Sequence, residues 1–205
     1  MPHHASAAAT PTGNTYDKYS AEHSLERRLV DGFLRALDSV LPDAAPDRVL
    51  EVGAGEGEIS DRVRARYPQS TVVSIDLHDV DLGAEWQRRG VIGAFADVRG
   101  LPFPDGSFDL VLGIEVLEHV VAPEVALAEI ERVSRSAVVL SVPREPIWRM
   151  ANILRGRYVR QGGNTPGHLN HWSTRRFRSL VASHFDVTAT KTPFPWTILA
   201  AHRRT

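Results

Sequence analysis

The sequence contains no cysteine, and that one absence removes disulfides, thiolate nucleophiles and cysteine-ligated zinc together. Long apolar runs are also missing. No stretch approaches the eighteen uninterrupted apolar residues of a membrane span, and the first twenty residues have neither the apolar centre of a signal peptide nor an arginine-rich amphipathic pattern. An excess of one charge is absent as well: 24 Lys and Arg stand against 25 Asp and Glu, a formal net charge of −1. A general attraction to nucleic acid or to an anionic membrane is therefore not built in, although a local basic patch stays open. These absences fit a cytoplasmic protein with no membrane partner.

What is present is enough apolar material for one core. With 42% hydrophobic residues over 205 positions, a single domain is expected. Residues 1–20, rich in Ala, Thr, Pro, Gly and His, read as a flexible tail or a lid, and residues 21–205 as the domain. No internal repeat is evident.

Periodicity gives the class. Leu25, Leu29, Val30, Phe33, Leu34, Leu37 and Leu41 recur at helical steps until Pro42 and Pro46 intervene. Strands and helices then alternate. Arg48 to Val52 reads as a strand, Ile59 to Arg66 as a helix and Thr71 to Ile75 as a strand. A helix near Ala84 to Arg89 follows, then strands near Val91 to Ala96 and at Phe108 to Gly113. A helix at Pro123 to Ser134 leads to a buried strand at Ala137 to Val142. Such alternation implies a mostly parallel sheet covered on both faces. After a helix at Thr174 to Ser183, strands at Phe185 to Thr190 and Thr197 to His202 are close enough to pair antiparallel. Between Pro143 and Trp172 the pattern lapses around one helix at Ile147 to Leu154, which marks a binding insertion over residues 143–172.

The chemistry starts at Val49-Leu50-Glu51-Val52-Gly53-Ala54-Gly55-Glu56-Gly57. Three glycines at alternate positions, where a strand turns into a helix, let the backbone approach a ligand closely. A dinucleotide fingerprint would need its third glycine one residue later, where Glu58 stands, so the spacing favours a ligand without pyrophosphate. Asp76 ends the next strand, where a carboxylate can accept both hydroxyls of a ribose. Asp97 ends the third strand and is placed, with the Val98 amide, at an adenine edge.

This run resembles the class I S-adenosylmethionine-dependent methyltransferases of the type 11 kind, and Asp97 to Val120 is similar to their Asp-x-x-x-Leu-Pro-Phe followed by Ser-Phe-Asp-Leu-Val. The resemblance implies a Rossmann-like, doubly wound α/β sheet of seven strands with an antiparallel last strand. It further implies S-adenosylmethionine as cofactor, held by Glu51, Gly53, Gly55, Gly57, Asp76, Leu77, Asp97 and Val98. Within the family, the chain resembles sugar O-methyltransferases of mycobacterial methylmannose polysaccharide synthesis.

For the acceptor, attention falls on Glu115, Glu118 and His119, which a helical turn would put on one face. Solvated charges at a helix terminus are the ordinary reading of such a run. Gly167-His168-Leu169-Asn170-His171-Trp172-Ser173, however, resembles a loop of metal-dependent terminal 2′-O-methyltransferases of small RNAs, whose cation is held by two glutamates and two histidines. That likeness implies Mg²⁺ or Mn²⁺ on Glu115, Glu118, His119 and His168, and leaves His171 where the RNA enzymes differ. Glu115, His119 and His171 are the expected catalytic residues, with His119 or His171 taking the acceptor proton. Trp148, Tyr158 and Trp172 are candidates for stacking on a sugar, and Arg144, Arg149, Arg155, Arg157 and Arg160 for hydrogen bonds to a polar acceptor. Core packing and a solvated basic face are the alternatives. Tyr16 and Tyr19 are candidate lid residues.

The expected acceptor is a small molecule, a carbohydrate or glycoside, with a quinone, a secondary metabolite or an RNA terminal 2′-hydroxyl as alternatives. Balanced charge counts against nucleic acid. A homo-oligomer and a non-catalytic cofactor-binding protein both stay open.

Overall fold

The computed structural model describes residues 24–204. Tyr16 and Tyr19, and with them the expected tail or lid, lie outside the described residues. Seven strands form one sheet: β1 (Arg48–Val52), β2 (Thr71–Asp76), β3 (Ile92–Phe95), β4 (Phe108–Ile114), β5 (Ser134–Pro143), β6 (Phe185–Lys191) and β7 (Trp196–Arg203). Their order is β3-β2-β1-β4-β5-β7-β6. β7 runs antiparallel to both neighbours, whereas β1 to β5 are parallel. The expected architecture is therefore the observed one.

Among the described residues six α-helices cover the sheet: α1 (Ser24–Asp38), α2 (Glu58–Arg66), α3 (Val80–Arg89), α4 (Pro123–Val133), α5 (Ile147–Leu154) and α6 (Thr174–Val181). Alternation along the central strands feeds two cores. Val111, Val138 and Leu140 point to one side, where Ala126, Leu127 and Ile130 of α4 and Phe177 of α6 close over them. Leu110, Leu112 and Val139 point to the other, under Phe33 and Leu37 of α1 and Ile59 and Val63 of α2. Burial on both faces is why these strands read as continuous apolar runs.

Several boundaries differ from the sequence expectation, α3 and α1 among them. α3 begins at Val80 rather than near Ala84, because the Asp79 side chain accepts hydrogen bonds from the Asp81 and Leu82 amides and so caps a turn that has little apolar periodicity. α1 ends at Asp38, yet Leu41 beyond it is still buried in the second core. The order of strands reverses between β1 and β4, and a ligand crevice is expected outside the carboxyl ends of strands at such a reversal.

Candidate active site

The glycine turn sits at that crevice. Gly53, Gly55 and Gly57 have φ of 66°, 51° and 89°, in the left-handed region that glycine occupies without penalty. At Gly53 a Cβ would lie 2.4 Å from Val116 Cγ2, so the turn is pressed directly against the segment that follows β4. The Ala54 amide donates to the Ile75 carbonyl at 3.0 Å and the Gly57 amide to Ala54 at 2.9 Å, which ties the turn to β2 and leads it into α2. The Trp86 indole of α3 donates to the Gly55 carbonyl at 2.7 Å.

Asp76 holds the other end. Its Oδ2 accepts from the Gly55 amide and its Oδ1 from the Leu77 amide, each at 2.7 Å. Burial pushes its carboxyl above the usual range, partly offset by those two amides. Each oxygen retains a second acceptor site, which is what binding a ribose diol requires. The residues present thus fit the expected cofactor: a turn with no room for a Cβ at Gly53, and a partly buried carboxylate facing the same turn.

Glu51 is placed lower, beneath the turn. It is 2% exposed, and its carboxyl accepts a hydrogen bond from Ser60 of α2, whose hydroxyl lies 2.6 Å from that of Ser74 on β2. Desolvation raises its pKa to about 8. Asp97 is turned toward Arg99, which donates to it from the backbone amide and from the guanidinium at 2.6–3.1 Å. The guanidinium holds that carboxyl below its ordinary value. Val98 is buried in the first core, and Leu77 is exposed at the end of β2.

On the acceptor side the expected helical face is not formed as drawn from the sequence. Glu115 has φ 59°, and the 3-10 turn starts only at Leu117 and ends at His119, so the left-handed residue directs its side chain elsewhere. Glu115 Oε1 accepts from Ser141 at 3.0 Å, and Oε2 accepts from the Trp196 indole at 2.8 Å. Glu118, His119 and His168 do come together: one ligand atom from each lies within 4.8 Å of the others. Glu118 and His168 are buried. The His119 and His168 rings meet edge to face at 4.9 Å, and His119 Nδ1 lies 3.0 Å from the Gly167 carbonyl. One carboxylate and two imidazoles within this spacing can hold a divalent cation, and Glu115 stands outside the group.

The insertion is docked onto this turn rather than hanging free. Leu169 and Asn170 amides donate to the Glu118 carbonyl at 2.7 and 3.0 Å, and the Asn170 amide group donates to the carbonyls of Leu117 and Val120. Trp148 stacks near His168 and donates to Thr165. Trp172 packs on Phe177 at 5.8 Å, in the core role rather than the stacking one. Of the arginines, Arg149 donates to the Gly162 carbonyl, and Arg155 and Arg157 lie 3.9 and 3.5 Å from Glu26 of α1.

His171 Nδ1 lies 3.5 Å from Glu145 Oε1. Glu145 is buried, which raises its carboxyl pKa, with the Arg149 amide and the His171 charge pulling the other way. The sequence reading did not single out Glu145. Its place just beyond the carboxyl end of β5 is the signal that could have found it, by the same rule that drew attention to Glu115.

Comparisons with known proteins agree with this geometry. A methyltransferase-domain family is matched by residues 50–142. A malonyl-[acyl-carrier protein] O-methyltransferase of Geobacter sulfurreducens is 33% identical over 125 residues, 58% of this chain and 44% of that protein. The chain thus spans under half the length of the first curated relatives it matches. Among solved structures, the complex of the Haloferax volcanii Trm112 methyltransferase activator with a putative methyltransferase gives a TM-score of 0.71 at 16% identity, covering 88% of this chain and 92% of that one. The magnesium protoporphyrin IX methyltransferase of Synechocystis PCC 6803, with bound SAH, gives 0.66 at 17% identity and 91% of each chain. With the glycine turn, the β2 aspartate and the strand order on the same fold, residues 50–142 match a methyltransferase domain on the sheet of the class I S-adenosylmethionine-dependent methyltransferases.

Proposed function

We propose that the protein is an S-adenosylmethionine-dependent O-methyltransferase that methylates a hydroxyl of a small polar acceptor, a carbohydrate or glycoside. The observation that carries this reading is the Glu118, His119 and His168 cluster, on the segment whose Val116 contacts the glycine turn. Bound S-adenosylmethionine supplies an electrophilic methyl group, and a divalent cation in the cluster would supply charge that lowers the pKa of a sugar hydroxyl. The chain's own part is alignment and proton handling. Asp76 and the Gly53–Gly57 backbone orient the cofactor, while Trp148 and Asn170 fix the loop that brings His168 to His119. As the acceptor oxygen bonds to the methyl carbon and the carbon–sulfur bond breaks, His171 would take the hydroxyl proton if a cation in the cluster commits His119, and His119 would be available to take it without one. Glu115, held by Ser141 and Trp196, acts by bracing β4 against β5 and β7.

The test is methyl transfer to sugars, quinols and a small RNA, with and without chelator, read as release of the demethylated cofactor. Turnover on a sugar that stops in chelator and returns with Mg²⁺ or Mn²⁺ is the expected result, and His168→Ala should raise the metal concentration needed by at least about tenfold. Undiminished activity in chelator removes the cation and leaves an imidazole base. Cofactor binding without turnover on any acceptor would make the chain a binding protein.

A further inference from the structure

α5 has two apolar sides. Trp148 and Asn152, four apart, face inward: Trp148 packs against the second core, and buried Asn152 donates to the Gly163 carbonyl and to Thr165. Met150, Ile153 and Leu154 occupy the spacing of one outward helical face and are 58%, 43% and 86% exposed, and Val159 in the next turn is 55% exposed. Adjacent exposed aliphatic side chains of this kind mark an interaction site rather than chance.

The charge around this face is mostly positive. From Pro146 to Phe185 the chain contains no aspartate or glutamate, and Arg149, Arg155, Arg157 and Arg160 fall within or directly after α5. Glu26, near Arg155 and Arg157, belongs to a turn of α1 that also carries exposed Arg27 and Arg28. The near-zero charge of the whole chain conceals this local arrangement. No helix among the described residues is long and apolar enough to cross a membrane.

We propose that the outward face of α5 and the turn after it dock on an anionic lipid bilayer, with Leu154 and Val159 entering the acyl boundary and the flanking arginines on the headgroups. A protruding leucine at the end of a short helix suits a fluid apolar phase that adapts to it, and arginines beside it suit headgroups that carry negative charge. An acidic protein would match the arginines but would need a pocket for Leu154. The docked segment continues into Gly167 and His168, so docking holds the candidate acceptor site at the membrane boundary. The inference does not depend on methyl transfer.

Co-sedimentation of the full chain with vesicles tests it directly. Binding to vesicles of phosphatidylglycerol and phosphatidylcholine, with little binding to phosphatidylcholine alone and loss in high salt, is the expected result. Leu154→Asp, whose side chain is too exposed to support the fold, should lower partition about tenfold or more with an unchanged melting temperature. Absence of binding to the anionic vesicles overturns the proposal, as does equal binding to both vesicle types or binding that Leu154→Asp leaves intact. A dimer in solution that Leu154→Asp dissociates would assign the face to a second copy instead.

Discussion

On the β1–β2 side of the crevice, candidate groups are held by backbone: the left-handed glycines set the turn, and Asp76 is fixed by the Gly55 and Leu77 amides. On the insertion side they are held by contacts between distant residues. His119 meets His168, Asn170 reaches Leu117, and His171 meets Glu145. The first arrangement is assembled by local sequence and tolerates little change, whereas the second is assembled by packing of a loop and can vary without disturbing the sheet. Cofactor recognition and acceptor recognition are therefore expected to be separable, and each prediction below is a way to break that separation.

The largest effect is expected from paired glycine substitutions. Gly53→Ala places a non-glycine residue at φ 66° and a Cβ against Val116, and the backbone strain alone is about 1–3 kcal/mol. Binding of the demethylated cofactor should fall below detection by calorimetry. Gly163→Ala is as severe locally, with φ 78° and a Cβ 2.2 Å from the Arg149 carbonyl oxygen, but its damage should stay in the insertion. Turnover should be lost and proteolysis between residues 155 and 166 should accelerate, with cofactor affinity retained. Equal loss of cofactor affinity in both variants would mean that the two sides fold as one unit.

The same division explains what could be read from the sequence. β1 and α5 were legible to the residue, and β2 and β4 nearly so, because each is specified by its own apolar pattern. The glycine turn and Asp76 were legible because their roles follow from strand ends and backbone freedom. Glu115 was not. A left-handed non-glycine residue carries no sequence signal, and the partner that fixes it, Trp196, is 81 residues away. Glu145 was missed because a strand-end carboxylate only gains meaning once His171 is folded back beside it. The stacking role considered for Trp172 gave way to core packing for a similar reason, since Phe177 supplies the opposing ring.

An intermediate effect is expected at Asp76. Its alanine variant loses a carboxylate that accepts two amides, and a hydrogen bond to a charged group contributes about 1.5–3 kcal/mol. Calorimetry with the demethylated cofactor should show a loss of that size, while Leu154→Asp in the insertion should show none. A comparable loss from the insertion variant would place cofactor contacts on both sides.

The smallest effect is a difference in pH dependence between two of the buried glutamates, Glu51 and Glu145. Glu51 has its carboxyl raised from 4.5 to about 8 by burial, with Asp76 and Asp61 adding to the shift and Ser60 opposing it. Between those two values the folded chain holds a proton that the unfolded chain releases, so this residue makes stability fall as pH rises through that window. Below the window both states are protonated, so the slope vanishes and the stability is fully present. Glu51→Gln keeps a neutral acceptor for Ser60 and removes the ionisation. Its melting temperature should therefore gain on the parent as pH is raised from about 6 to about 8. Glu145 is also raised by burial, but the Arg149 amide, the Arg149 charge and His171 all oppose the shift, so Glu145→Gln should change the pH slope less. Thermal unfolding of both variants across that range decides the matter. A larger change of slope for Glu145→Gln would mean that the insertion buries charge more rigidly than the strand ends do, and that the separation of the two sides is drawn in the wrong place.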